Sequence, residues 1–260
     1  MAPAVDGAFA RWLADGAGEL LRNIRGDMGF DDPAALRHAG DKQSHDFITT
    51  QLTKWRHGDA VLSEEAEHDD LGRLDAERVW IVDPLDGTRE FGEPGRADWA
   101  VHIGLWVRSS TAPSQLAAAA IGLPAQQRIL GTDFPPSYPP LSPAAAAGGP
   151  LRFVASRTRP PALVNVVADD LGAELVPMGS AGAKIAAVIS GDVDAYIHAG
   201  GQHEWDSAAP VGVALATGLH ASRIDGSPLE YNRADPVLPD LIVCRKDLAN
   251  RLLEAISRAG

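Results

Sequence analysis

Val79-Trp80-Ile81-Val82-Asp83-Pro84-Leu85-Asp86-Gly87-Thr88 is an apolar strand that runs straight into two acids. Asp83 ends the strand, Pro84 forces a turn, and Gly87 lets the backbone tighten just after Asp86. Asp-Pro or Asp-Gly alone would read as an ordinary surface turn. Asp-Pro-x-Asp-Gly-Thr as a unit arises by chance in a chain of this length roughly once in ten thousand sequences. Carboxylates at the tip of a rigid strand suit magnesium, a hard cation that takes oxygen ligands in near-octahedral order. Pro84 also leaves the Leu85 carbonyl free to point inward as a neutral ligand. Gly87 and Thr88 are expected to open a helix whose N–H groups can hold phosphate oxygens.

Two further segments bring acids to the ends of apolar runs. Val61-Leu62-Ser63-Glu64-Glu65 is a short strand running into acids, and it also reads as a helix N-cap followed by dipole-favouring charges. His203-Glu204-Trp205-Asp206-Ser207-Ala208-Ala209-Pro210 places Asp206 at the start of an apolar helix, where a simple cap is again the plain alternative. Converging Glu64, Asp83, Asp86 and Asp206 would be costly without cations. At a separation of about 4 Å and an effective dielectric of about 20, each pair repels by about 4 kcal/mol.

Of the 260 residues, 45% are apolar, enough for a sizeable core, and the formal net charge is −12. That balance argues against a nucleic-acid-coating surface, which needs clustered Lys and Arg. An acidic chain can still take a small phosphate ester when bound cations reverse the local field. Cys244 is the single cysteine, so no intrachain disulfide forms and a cytoplasmic setting is expected. The stretch from Met1 to Gly26 reads as an amphipathic helix rather than a targeting segment, and no charge-free apolar run is long enough to span a bilayer.

Val5, Phe9, Trp12, Leu13, Leu20 and Ile24 recur near helical spacing and predict a first helix ending near Gly26. A polar stretch from Asp27 to His45 and a second helix over Asp46 to Arg56 follow. Segments over Trp99–Val107, Leu116–Leu123 and Gln127–Thr132 suggest an antiparallel sheet. Residues 134–150, rich in Pro, Ala and Gly, read as an exposed connection between an α+β half (1–133) and an α/β half (151–260). In the second half, strands at Leu151–Ala155, Glu174–Val176, Val193–Ile197 and Leu241–Cys244 alternate with helices at Pro161–Leu171, Lys184–Ser190, Trp205–Thr217 and Leu248–Ile256.

Glu64-Glu65, Asp83-Pro-Leu-Asp-Gly-Thr88 and Trp205-Asp206, in that order, resemble the motifs of the inositol monophosphatase superfamily, which also includes fructose bisphosphatases. The continuation Arg89-Glu90-Phe91 resembles its CysQ-type branch, 3′(2′),5′-bisphosphate nucleotidases that act on 3′-phosphoadenosine 5′-phosphate, a by-product of sulfate assimilation. The resemblance implies a layered α-β-α-β-α sugar-phosphatase fold, lithium sensitivity, a homodimer and two or three Mg2+ per site. It assigns Glu64, Asp83, Leu85 (through its carbonyl), Asp86 and Asp206 to the metals.

The same resemblance makes Thr88, hydrogen-bonded to Asp46, the group that orients or deprotonates the attacking water beside Glu64. It gives Gly87 and Thr88 N–H groups to the phosphoryl oxygens, and Ser180 and Lys184 to the rest of the substrate. The Asp41–Asp46 segment is shorter than the corresponding family stretch. His198 stands where many bacterial relatives carry Arg, which leaves Arg157 or Arg159 as alternative phosphate contacts. Inositol monophosphatase or fructose-1,6-bisphosphatase activity on the same cage, and a catalytically silent interaction protein, are the competing readings.

Overall fold

The computed structural model describes residues 1–66, 71–110, 115–158 and 160–260. Strand β2 (Arg78–Asp86) is buried along its length from Val79 onward. It lies second in a five-stranded sheet with β1 (Ala60–Ser63), β3 (Ala100–Val107), β4 (Gln115–Leu123) and β5 (Arg128–Gly131), in the order β1-β2-β3-β4-β5. β1 runs parallel to β2, and the remaining pairs are antiparallel.

Strand alternation divides β2 between two cores. Trp80 and Val82 pack with Phe9, Leu13 and Leu21 of helix α1 (Asp6–Met28) and Ile48 and Leu52 of helix α2 (Pro33–Trp55). Val79 and Ile81 face the other way, into a core shared with Val154, Ala209, Val211 and Val243 of the second half. Asp83 continues the Val79–Ile81 series, so periodicity turns its carboxyl toward that shared interior. Beyond it the register with β3 shifts between Asp83, opposite His102, and Asp86, opposite Ala100. Pro84 sits in this bulge because it has no N–H to give the ladder.

The second sheet has the order β7-β6-β8-β10-β9, from β6 (Arg152–Ser156), β7 (Glu174–Met178), β8 (Ala195–His203), β9 (His220–Ser222) and β10 (Val237–Cys244). β6 is parallel to β7 and β8, whereas β10 is antiparallel to β8 and β9. Helices α6 (Ala181–Ser190) and α7 (Glu204–Ala216) lie between the two sheets. Helices α5 (Ala162–Leu171) and α8 (Lys246–Ala259) cover the outer face of the second. With α1 and α2 on the outer face of the first, the layers run α-β-α-β-α, as expected from sequence. No helix among the described residues is long and apolar enough to cross a membrane.

The sequence expectation fails most clearly at α2, which begins at Pro33 rather than at Asp46. Asp32 caps it, accepting from the Ala34 and Ala35 N–H groups at 3.1 and 3.0 Å, and Pro33 occupies the first turn where its missing N–H costs nothing. Its first half looks polar because its buried face uses Leu36, Gly40 and Ser44 at four-residue spacing. A Cβ on Gly40 would come within 2.7 Å of the Phe91 ring and 2.9 Å of Leu85, so close helix–sheet approach excludes anything larger. The connection 134–150 is also not wholly exposed. It contains a short helix α4 (Pro143–Ala146), and buried Ser142 is fastened to Asp194 through its N–H at 2.8 Å and its hydroxyl at 2.6 Å.

Removing the cap of the longer α2 tests where it starts. Asp32→Ala should cost about 1 kcal/mol, read as a lower urea midpoint with unchanged slope. An unchanged midpoint would return the helix start to the vicinity of Asp46.

Candidate active site

Asp83, Asp86 and Asp206 come together where the bulge of β2 meets the start of α7, each offering an oxygen within 4.8 Å of the others. Asp206 sits at the third position of α7, accepts from the His203 N–H at 2.7 Å, and is matched by the His203 side chain in a capping box. Cap and cluster member are therefore one residue in two roles. Glu64 follows β1 in a turn, not a helix. Ser63 instead contacts His45 Nδ1 of α2 at 3.0 Å.

Asp86 is held from three directions. The Ser180 hydroxyl donates to it, as do the Ala181 and Gly182 N–H groups at 3.2 and 2.6 Å, at the N-terminus of α6 where the helix dipole favours an anion. From β3, His102 Nε2 lies 3.2 Å from Asp86 Oδ2, off the line of a regular hydrogen bond, while Nδ1 is fixed 3.0 Å from the Trp205 carbonyl. Burial alone would raise the Asp86 carboxyl, but the His102 charge and these hydrogen bonds hold it down to about 2. The imidazole fills its space so fully that a Cβ on Gly182 would sit 1.9 Å from Nε2.

The other carboxyls are pushed upward. Burial, followed by the charge of Asp206, raises Glu64 to about 7, although much of its side chain is exposed. Burial and then Asp86 raise Asp206 to about 6. Asp83 is raised by burial and then by the neighbouring Glu64, so the two carboxyls titrate as a pair. Oxygen donors that retain protons because they are buried and crowd one another fit a hard divalent cation, whose charge would release those protons.

Thr88 opens the four-residue helix α3 (Thr88–Phe91) after Gly87, which takes the left-handed conformation at φ 85°. The Thr88 hydroxyl lies 3.2 Å from Asp41 Oδ1 and 3.0 Å from the Leu85 carbonyl. The sequence expectation that Asp46 meets Thr88 is thereby corrected. Asp46 is exposed and pairs with Lys42 at 2.6 Å. Five residues on a helix amount to about 140° of rotation, so Asp41 and Asp46 cannot face the same partner. Asp41, Ser44, His45 and Ile48 form the inward stripe, and the Ser44 hydroxyl donates to the Pro84 carbonyl at 2.7 Å. Burial, then Glu65, raises Asp41 to about 6.

Ser180 is spent on Asp86 and is buried. Lys184 is neither solvated nor free. It is 4% exposed, donates to the Gly179 carbonyl at 2.5 Å and lies 5.2 Å over the Tyr196 ring. His198 is half-buried, and burial followed by the Lys184 charge pushes its imidazole down to about 4, leaving it neutral. Arg157 is committed to Glu90 and Glu93 at 2.7 and 2.9 Å, Arg89 is exposed, and Arg159 lies outside the described residues. Asp41, Ser44, His45 and His102 escaped the sequence reading. Helical spacing would have exposed the first three had α2 been started at Pro33, whereas His102 needed the pairing of β3 with β2. A cavity of about 530 Å³ lined by Trp106, Leu116, Val211, Leu215 and Tyr231 shares no residue with the carboxylates, and shape alone would have pointed there.

Residues 8–260 match the model of the inositol monophosphatase family. A 3′-phosphoadenosine 5′-phosphate phosphatase of Mycobacterium tuberculosis (strain CDC 1551 / Oshkosh) is 56% identical over 246 residues, covering 94% of this chain and 90% of the relative. The protein of that name from Mycobacterium leprae is 52% identical over 259 residues, covering 96% and 93%. Among solved structures, Mycobacterium tuberculosis SuhB superposes with a TM-score of 0.72 at 22% identity over 100% of this chain and 98% of its own. Inositol monophosphatase-II of Staphylococcus aureus MSSA476 gives 0.76 at 20% identity, over 95% and 91%, a likeness of fold.

Raised carboxyls predict how the metal-free protein responds to pH. A folded pKa above the unfolded one contributes stability that is present below the unfolded value and lost as pH rises through the folded value. For Glu64 and Asp206 the contribution declines from the ordinary carboxylate range upward and is gone above about 6 for Asp206 and about 7 for Glu64. In EDTA the Tm should therefore rise as pH drops from above 7 toward about 5. A saturating divalent cation should shrink that rise, and a pH-independent Tm in EDTA would contradict the crowded cage.

Proposed function

This chain belongs to the inositol monophosphatase family, and we propose that it is a magnesium-dependent phosphomonoesterase that converts 3′-phosphoadenosine 5′-phosphate to AMP and phosphate. The observation that carries this reading is the 56% identity, over 94% of the chain, to a phosphatase named for that substrate. The convergence of Asp83, Asp86 and Asp206 supplies the chemistry that such a reaction needs. A single buried cysteine is compatible with a cytoplasmic setting, and a homodimer is the assembly the family resemblance implies.

Asp83, Asp86, Asp206, Glu64 and the Leu85 carbonyl are the groups that would hold the cations. Bound magnesium neutralises phosphoryl charge and makes water a stronger acid at neutral pH. The chain's own part is orientation. The Asp41 carboxylate accepts the Thr88 hydroxyl proton, leaving the Thr88 oxygen lone pairs to receive a proton from water aligned opposite the leaving oxygen. The N-terminal end of α3, at Gly87 and Thr88, offers N–H groups to the phosphoryl oxygens. Ser180 acts through Asp86, whose position it sets. Lys184 contributes positive potential beside the neutral His198, toward a second phosphate on the substrate. No covalent phosphoenzyme is required.

Phosphate release should be fastest from 3′-phosphoadenosine 5′-phosphate when it is compared with inositol-1-phosphate and fructose-1,6-bisphosphate, and EDTA should abolish it. Faster magnesium-dependent turnover of another ester would discard the substrate and keep the cage. Asp41→Asn should lower kcat by about a hundredfold, while Asp46→Asn should change it by less than about twofold. The reverse order would restore Asp46 as the partner of Thr88. Asp83→Asn and Asp206→Asn should be inactive yet at least as heat-stable in EDTA as the parent, because each relieves carboxylate repulsion.

A further inference from the structure

One buried polar cluster spans the same gap as the carboxylates without belonging to them. Glu204, 1% exposed at the first position of α7, places Oε2 at 2.6 Å from the Asn232 N–H and Oε1 at 2.8 Å from the Arg233 N–H. Asn232 is left-handed at φ 61°, and successive N–H groups around such a residue make a concave seat for an anion. Here the seat is filled by the chain's own carboxylate.

Behind the seat lies Arg73, 6% exposed, in a 3-10 turn over Leu71–Asp75 that packs against β1. Its guanidinium donates to Asn232 Oδ1 at 2.7 Å and to the Arg233 carbonyl at 2.6 Å. The cluster therefore ties the β1 side, which carries Glu64, to the first turn of α7, which carries Asp206. Those two carboxyls repel each other across the gap. Arg73 and Glu204 are joined across it through Asn232 and Arg233.

Stability alone gives little reason for such an arrangement, since buried charged groups replaced by well-packed apolar residues are often neutral or better. Residues that orient metal ligands are worth about ten- to a hundredfold in metal affinity, and Glu204, on the same first turn of α7 as Asp206, bears on that ligand through the helix backbone rather than by direct contact. We infer that Arg73, Asn232 and Glu204 are positioning residues that set the spacing between Glu64 and Asp206 and so tune the affinity of the site for its divalent cation. The inference rests on the carboxylate cluster being that cation's site.

Direct titration of the full chain with Mn2+ in a calorimeter tests this without reference to turnover. Asn232→Gly keeps the left-handed backbone and removes the acceptor for Arg73, and Arg73→Ala removes the donor. Both should bind Mn2+ at least about tenfold more weakly, with a matching rise in the Mg2+ needed for half-maximal activity and kcat at saturating Mg2+ within about twofold. Asn232→Asp, which retains an acceptor for Arg73, should stay within about threefold of the parent affinity.

Asp194→Asn provides the structural comparison. It disturbs a buried network with Ser142 and the Arg152 N–H in the second half, and should lower the Tm while leaving Mn2+ affinity unchanged. Parental Mn2+ affinity in Asn232→Gly, together with a Tm loss like that of Asp194→Asn, would reduce the cluster to a structural tie. Absence of Mn2+ binding by the parent protein would instead remove the metal site itself, and this inference with it.

Discussion

Carboxylates gathered at one point repel, by about 4 kcal/mol per pair at about 4 Å in a partly screened interior. Asp83, Asp86 and Asp206 are nonetheless held within 4.8 Å of one another, with Glu64 beside them. In the metal-free chain the strain is divided unequally. Asp86 stays ionised because His102, Ser180 and the start of α6 surround it with donors, while Asp83, Asp206 and Glu64 keep protons more readily than ordinary acids. That asymmetry sets one readily ionised carboxylate beside three that hold protons more readily than usual, and a divalent cation can displace such protons.

Holding such a group in place requires rigid supports from several directions, and the fold supplies them by layering. β2 ends between the two helical layers, and Pro84 breaks its ladder just where Asp83 and Asp86 must turn apart. α2 approaches so closely that only Gly40 fits beside Leu85 and Phe91. The approach brings Ser44 to the Pro84 carbonyl and Asp41 to Thr88. On the opposite side α6 and α7, although part of the second half of the chain, sit against the first sheet and deliver Ser180 and Asp206. The site is thus assembled at the shared core and belongs to neither half alone.

Polar side chains around the carboxylates are already committed to partners within the chain. Ser180 is engaged with Asp86, Lys184 with the Gly179 carbonyl, and Arg157 with Glu90 and Glu93. Their hydrogen bonds first fix the backbone around the site. Burial lowers the pKa of the Lys184 ammonium, and the neighbouring carboxylates, Asp86 foremost, only partly offset that.

Local pattern was enough to identify what depends on neighbours in sequence. Acids at the ends of apolar runs located Glu64, Asp83, Asp86 and Asp206, because a strand or helix displays its periodicity along the chain and the acids mark where that pattern stops or starts. Periodicity also placed the first sheet, most strands of the second and the second-half helices within a few residues, but it left β9 unread and stopped β8 at Ile197 instead of His203. Tertiary structure decided which face met which. The buried stripe of α2 is written in Gly40 and Ser44, small residues that look polar until the closeness of Phe91 explains them, so its start and the choice of Asp41 over Asp46 were hidden. His102 came to Asp86 through strand register, and Glu204 found its partners in Arg73 and Asn232, far away along the chain. Such contacts carry no period in the sequence, because close packing, rather than local propensity, selects them.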